Sequence, residues 1–410
     1  MTTVQTPARR APLAALVMSN YVAWFGNAIT LVAVPLYVLE RTGSPLWTGL
    51  AGFANALPMA VAGLVGGVFV DRFGARRISI AADALAGLVL LGVPLLDAAG
   101  ALPLPVLMAL LLVRTLVDTP GSAARQALLP AAIAAARTRP EAANSWFQSG
   151  PRLALIIGPP LGALLVERLG GTAALYVNTA TFLLSAALVA ALVTRPEPQG
   201  SARPATRFRA DFVEGWTFLT SHPLLLAILG VVVITNFIDD AFTPVLLPLY
   251  AERVLGDPQL LGWLIAATGV GAVLGTFLYA PASRTLLKDR YVTFVGCFAV
   301  VAAARIAMTF LPNLWIMIVL MFVVGLASGP LNPLITTVIQ ERTPEQVLGR
   351  VFGAVMALAF VAAPVGILFA GWLAELAGIR WVLIVFAVAY VALIVAALRS
   401  ATLRTVRDHA

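Results

Sequence analysis

The chain of 410 residues has one cysteine, two histidines, and charge on only 11% of its residues. A single cysteine closes no disulfide framework. Cys297 sits inside an apolar run and reads as a small buried hydrophobe. His222 and His409 lie in a polar stretch and in the tail, which leaves no His-based metal cluster or catalytic triad. No Gly-Lys-Ser/Thr phosphate loop occurs, which argues against ATP-driven work, and no other enzyme signature is present. The scarcity of charge excludes more still. A soluble domain carries about 25% charged residues, whereas this chain is 60% hydrophobic with a mean hydropathy of +0.94. A water-soluble body of this size cannot hide so much apolar surface, so the solvent for most of the chain is lipid.

The charge that is present is mostly basic, +8 net at neutral pH. Its arginines punctuate apolar runs and form no patch interleaved with aromatics, so no nucleic-acid partner is implied. Apolar segments long enough to cross a bilayer, roughly twenty residues, fall at 13–39, 46–70, 78–96, 103–124, 143–166 and 172–193. Six more follow at 224–250, 260–281, 291–311, 313–335, 348–373 and 380–398. The first is preceded by Arg9 and Arg10 but runs on to Leu39 without a clear cleavage site, so it is read as a span and not as a cleaved signal. The expected fold is all-α, with twelve transmembrane helices. Domains are expected at 1–193, a linker at 194–222, and 223–410, with a short amphipathic helix in the linker around Asp211–Leu219. Twenty Arg/Lys, Arg125 among them, fall at even-numbered junctions and termini and four at the others, which predicts cytoplasmic termini and a cytoplasmic linker.

The two halves resemble each other. At an offset of 213 residues, "VPLYVLERTGSPLWTG" (34–49) lies on "LPLYAERVLGDPQLLG" (247–262), pairing Pro35 with Pro248, Tyr37 with Tyr250, Gly43 with Gly256, Pro45 with Pro258 and Gly49 with Gly262. Two pseudo-symmetric six-helix bundles in parallel relation are the architecture of secondary transporters.

After the second span comes "GGVFVDRFGARR", with Gly67, Asp71, Arg72, Gly74, Arg76 and Arg77. The glycine pair suits close helix approach, and Gly74 a tight reversal. This run resembles the loop motif between spans 2 and 3 of the major facilitator superfamily, and the resemblance implies a cytoplasmic latch. A topological anchor alone is the alternative. "DTPGSAARQALLP" (118–130), "IIGPPLGALL" (156–165), "ADALAGLVLLGVPLL" (82–96) and "GLASGPLNPLITTVIQERTPEQVLGRVFG" (325–353) are similar to the bacterial drug-efflux branch, which holds Tap, macrolide-efflux proteins and the enterobactin exporter. In span 5, Gly158, Pro159, Pro160 and Gly162 match the antiporter element of the superfamily. Span 8, with Gly269, Gly271 and Gly275, is its expected packing partner.

Charges inside spans cost about 2.5–3.5 kcal/mol each on insertion scales, so each needs a reason. Arg114 and Asp118 are four apart on one face of span 4. The resemblance implies proton relay at Arg114, and a structural ion pair is the alternative. Asp239 and Asp240 in span 7 point about 100° apart, and Asn236 and Thr243 extend a polar stripe with Asp240. One of the two is a candidate coupling acid, Asp240 ahead; the alternative is neutralisation by Arg152 or Arg114. The 213 offset places Asn27 opposite Asp240, and relatives often carry an Asp at the Asn27 position, which is absent here. Arg152 is a site partner or a counter-ion. Arg305 is expected to snorkel to the interface from a peripheral position, and Asp83 to pair with Arg76, Arg77 or Arg125.

Trp24, Asn20, Asn27, Trp146, Gln148, Asn178, Asn236, Phe237, Asn332, Met356 and Phe360 are candidates for lining an amphipathic pocket, with packing or interfacial anchoring as the alternative for the aromatics. Together these readings point to a monomeric exporter of the bacterial inner (cytoplasmic) membrane. It would move lipophilic drugs or metabolites in exchange for protons, with no cofactor beyond the proton gradient. A dedicated siderophore or natural-product exporter and a non-transporting receptor are the alternatives.

Overall fold

A chain dissolved in lipid must satisfy its backbone hydrogen bonds internally, which leaves helices or a closed barrel. The computed structural model shows helices and no strand among the described residues, which are 10–193, 208–285 and 289–407. Within these, the side chains of 59–68, 71, 208–211, 280, 284, 285 and 407 lie outside the description.

The first six helices are α1 (Ala11–Thr42), α2 (Pro45–Phe73), α3 (Ala75–Ala98), α4 (Leu104–Ala136), α5 (Pro140–Leu169) and α6 (Ala174–Leu192). Then follow α7 (Phe208–Ser221), α8 (Pro223–Asp239), a π-turn at Phe242–Leu246, α9 (Leu247–Arg253), α10 (Leu260–Thr285) and α11 (Arg290–Met308). The chain continues with α12 (Leu314–Ser328), α13 (Leu331–Arg342), α14 (Glu345–Ala377), α15 (Ile379–Arg399) and α16 (Ala401–Arg404). Eleven spans among the described residues are long and apolar enough to cross a bilayer. Helix α2, the remaining expected span, is 29 residues long.

Two spans are not the continuous helices the apolar runs suggested. Span 7 breaks after Asp239 and resumes through the π-turn, where the Leu246 N–H reaches back to the Ala241 carbonyl at 3.3 Å. Span 10 breaks between α12 and α13 at Gly329–Pro330. Pro244 and Pro330 supply the physical reason, since a proline has no N–H to continue the ladder. Span 4, expected to end at residue 124, continues to Ala136.

The chain divides into two compact units. One comprises Met1–Val34 with Ala54–Arg203, the other Pro35–Phe53 with Pro204–Ala410. In the first, α3 packs along α4 and α6, and Leu16, Leu129, Phe147 and Val189 join α1, α4, α5 and α6 in one apolar core. In the second, α10 lies on α12, α11 on α15, and α14 on both α7 and α8.

Helix α7, expected around Asp211–Leu219, runs from Phe208 to Ser221. Its apolar face is docked: Leu219 is buried with Leu225, Leu229, Ile339, Val351 and Val355.

The repeat is visible in the backbone. Gly43 and Gly256, paired by the 213 offset, both take positive φ, 63° and 71°. Many large apolar side chains face outward, as a lipid solvent requires. In the second unit Trp263, Trp315, Trp372 and Trp381 are exposed at the helix ends opposite the α7 side, an interfacial aromatic girdle.

Candidate functional site

Each unit holds a buried cluster of charge. In the first, Arg114, Asp118 and Arg125 occupy one face of α4, and all three are buried. Asn27 of α1 accepts from Arg114 through Oδ1 and donates to Asp118 Oδ2 at 3.2 Å. Asn55 of α2 accepts from Arg114 at 3.1 Å and from Thr115 at 2.9 Å. The Arg114 guanidinium also lies 5.3 Å from the Phe182 ring centre of α6. Asp118 stands 3.9 Å from Arg114 and 4.0 Å from Arg125. Arg125 pairs with Asp83 of α3 at 2.5 Å, and Ser185 of α6 donates to the other Asp83 oxygen at 2.6 Å. The cluster thus ties α1, α2, α3, α4 and α6 together, with two arginines against two aspartates.

Of the three partners expected for Asp83, the structure selects Arg125. Arg125 itself was counted as a cytoplasmic loop charge; it is instead 1% exposed inside α4, because that helix runs beyond the apolar stretch. Its spacing of seven from Asp118 and eleven from Arg114 placed all three on one helical face, a signal present in the sequence. Asn55 carried no comparable signal.

The second cluster surrounds the break in span 7. Arg305 of α11 is 3% exposed. It donates to Asp239 Oδ1 at 2.7 Å, and its guanidinium carbon lies 3.3 Å from the centre of the Phe242 ring. Tyr390 of α15 donates its hydroxyl to Asp239 Oδ2. The expected snorkelling of Arg305 is therefore overturned: a carboxylate inside the unit holds the guanidinium where the interface would otherwise draw it. Within its own unit the counter-ion of Asp239 is Arg305. Arg152 is exposed on α5. Asp240, the C-cap of α8, is exposed, and no side-chain donor among the described residues reaches it. Tyr390 gave no sequence signal, being one aromatic within an apolar run.

The loop after α2 reverses at Gly74, with φ 86°. Arg76 donates to the carbonyls of Val193 at 2.7 Å and Ala190 at 2.5 Å, closing the C-terminal end of α6. Arg72 and Arg77 are exposed; Gly67 and Asp71 lie on α2, with side chains outside the described residues. In α5, Gly158, Pro159 and Gly162 are buried and Pro160 is half-buried. The close neighbours of the two glycines are on α1. A Cβ on Gly162 would stand 3.2 Å from the Ile29 Cα, and one on Gly158 would strike Ala28. Within the second unit, Gly271 and Gly275 of span 8 face Phe322 and Leu326 of α12. Small residues let backbones approach wherever two stripes meet, and the sequence does not say which stripes do.

The pocket candidates separate by burial. Asn20 and Asn178 are internal: Asn20 donates to the Phe147 carbonyl at 3.0 Å and Asn178 to Thr30 at 2.5 Å. Trp24, Asn27, Asn236 and Phe237 are half-buried. Asn236 donates to the Ala359 carbonyl at 3.3 Å, and Phe237 packs on Phe369 and Phe386. Trp146 and Gln148 are exposed on the first unit, and Asn332, Met356 and Phe360 on the second.

A family model, Major Facilitator Superfamily, matches residues 16–256 and again 229–409. Multidrug efflux pump Tap of Mycolicibacterium fortuitum is 33% identical over 385 residues, 92% of each chain. Multidrug efflux pump Tap of Mycobacterium tuberculosis is 32% identical over 411 residues, 96% of this chain and 94% of that one. Enterobactin exporter EntS of Escherichia coli is 27% identical, covering 83% of this chain and 79% of its own. Among solved structures, the nucleoside transporter NupG superposes with a TM-score of 0.76 at 12% identity, covering 94% of this chain and 98% of that one. A bacterial homologue of the lysosomal transporter Spinster superposes with a TM-score of 0.71 at 14% identity, covering 98% and 99%. With eleven spans among the described residues long and apolar enough to cross a bilayer, a family model that matches both halves, and relatives above 30% identity along nearly its whole length, this chain is a multi-pass membrane protein that belongs to the Major Facilitator Superfamily.

Proposed function

We propose that the chain is a secondary exporter of amphipathic or hydrophobic compounds, antibiotics among them, driven by proton antiport across the bacterial inner membrane. The observation that carries this reading is the near full-length similarity to relatives named multidrug efflux pump. A buried charge cluster in each unit supports the ion-coupled part, because charge inside spans is costly and is retained where it moves ions or substrate. The chain acts as a monomer by alternating access. It comprises an N-terminal bundle (1–193), a linker (194–222) and a C-terminal bundle (223–410), with both termini cytoplasmic, as the arginine distribution favours. Its substrates are bulky lipophilic drugs or metabolites; the exposed apolar and amide side chains Trp146, Gln148, Asn332, Met356 and Phe360 suit such compounds. Coupling runs through one carboxyl of the Asp239/Asp240 pair in the second unit and through Asp118 with Arg114 in the first.

The test is drug-driven proton release from acid-loaded inverted vesicles or proteoliposomes, followed by a pH-sensitive dye, across several antibiotic classes. Proton movement on adding unrelated lipophilic drugs is expected. Drug efflux insensitive to an uncoupler, or left intact by Asp240→Asn and Asp118→Asn together, would reject proton coupling. A second reading, a dedicated exporter of a siderophore or self-made product, is favoured by the similarity to the enterobactin exporter. Movement with one chemical class alone would select it.

A further inference from the structure

We infer that Arg305 and Tyr390 are positioning residues which hold Asp239 as a permanent counter-ion, so that Asp240 alone is the exchangeable carboxyl of the second unit. The inference rests on the proton-coupled reading above and refines it. Both oxygens of Asp239 are taken, one by Arg305 at 2.7 Å and one by the Tyr390 hydroxyl. Arg305 is in turn fixed from its other face by the Phe242 ring, a cation–π contact strengthened by desolvation. Two helices therefore converge on one carboxylate, α11 through Arg305 and α15 through Tyr390, while the π-turn holds Arg305 through Phe242. They pin span 7 where its helix is interrupted. π-turns inside helices are frequent at functional positions.

Charge balance separates the two units. The first cluster contains Arg114 and Arg125 against Asp83 and Asp118, two positive and two negative. The second contains Arg305 against Asp239 and Asp240, one positive and two negative. The single surplus charge is on Asp240, which no donor among the described residues satisfies and which is exposed. The charged and titratable groups around it are Asp239 on its own span, Arg305 on α11 and Tyr390 on α15. Both of the latter are already engaged by Asp239. A proton or an organic cation bound at Asp240 completes the balance without disturbing the triad. By the 213 offset its counterpart in the first unit is Asn27, a neutral residue already bonded to Arg114 and Asp118. The exchangeable site is therefore asymmetric between the halves.

The test uses the full-length purified protein in lipid nanodiscs. Protonated-carboxyl bands in pH-difference infrared spectra are compared for the wild type, Asp239→Asn, Asp240→Asn and Arg305→Gln. The titrating band is expected to persist in Asp239→Asn and to disappear in Asp240→Asn. In Arg305→Gln a second carboxyl band is expected as Asp239 is released, a signature that a purely structural arginine would not produce. If Arg305→Gln does not accumulate, the double variant Asp239→Asn/Arg305→Gln recovers folded protein, because it removes the stranded charge with the guanidinium. A band lost in Asp239→Asn, a band retained in Asp240→Asn, or no recovery in the double variant overturns the inference. A wild type that moves no protons with any drug would instead sink the proposed function and leave these spectra interpretable.

Discussion

The Asp83–Arg125 pair offers the sharpest energetic test of the first unit. The two charges meet at 2.5 Å with 0% and 1% of their side chains exposed, so neither can turn to water if its partner is lost. Removing one member of a buried pair costs about 3–5 kcal/mol, because the other is left as an uncompensated buried charge. In Arg125→Gln, Ser185 still donates to Asp83, but a hydroxyl carries no counter-charge. We therefore expect Arg125→Gln and Asp83→Asn each to destabilise by about 3–5 kcal/mol. The double variant Asp83→Asn/Arg125→Gln can replace the ion pair by an amide–amide hydrogen bond without net charge. It should lie within about 1.5 kcal/mol of the wild type, the scale of one neutral hydrogen bond. The assay is SDS-titrated unfolding in mixed micelles, followed by helix ellipticity, with a double-mutant cycle drawn from the four midpoints. A double variant whose loss equals the sum of the single losses would refute the reasoning, for it would mean that the two groups do not hold each other.

Three further outcomes follow from the geometry. Gly371 in α14 faces Gly49, and a Cβ there would stand 2.9 Å from the Pro45 carbonyl and 3.1 Å from the Gly49 Cα. Gly371→Val should therefore cost about 1–3 kcal/mol of overpacking, read as a lower detergent melting temperature, while Gly353→Ala, in open space, should leave it unchanged. Gly74 at φ 86° and ψ 135° holds a sparsely populated conformation that costs a non-glycine residue about 1–3 kcal/mol; Gly74→Ala should lower the yield of folded protein, and an unchanged yield and melting point would count against strain at the reversal. The Glu214–Arg350 contact between α7 and α14 is exposed at Glu214 and partly exposed at Arg350, so Glu214→Gln should shift stability by no more than about 1 kcal/mol, whereas truncating the buried Leu219 on the same helix to Ala should cost about 2–5 kcal/mol; equal losses from the two would show that charge and not burial docks α7.

Composition and periodicity were enough to place the chain in a membrane, to count its spans and to show the repeat, because lipid rewards long apolar runs irrespective of their neighbours. The repeated Gly43 and Gly256 were legible for a similar reason: a positive-φ turn is a local demand that glycine meets without a steric cost. The interruption of span 7 was not read, although Pro244 stood in the sequence, since membrane helices often absorb a proline without breaking, as α4 does at Pro120.

The charged residues divide along the same line. That Arg114, Asp118, Asp239 and Asp240 needed explaining followed from their presence in apolar runs. Which arginine answers which aspartate did not follow, because a pair such as Arg305 and Asp239 is 66 residues apart in sequence and meets only when two helices cross. Arg305 was sent to the interface by its nearness to a helix end; the fold brought the end of α8 and the π-turn to it, giving it the Asp239 carboxylate and the Phe242 ring instead. Likewise Gly158 and Gly162 advertised a close helix contact, and only the folded unit made α1 the partner. The sequence alone determined which segments leave water and which groups would be costly there. The tertiary structure decided how that cost is offset, because distances between side chains on different helices are set by the packing of whole helices and by no single residue.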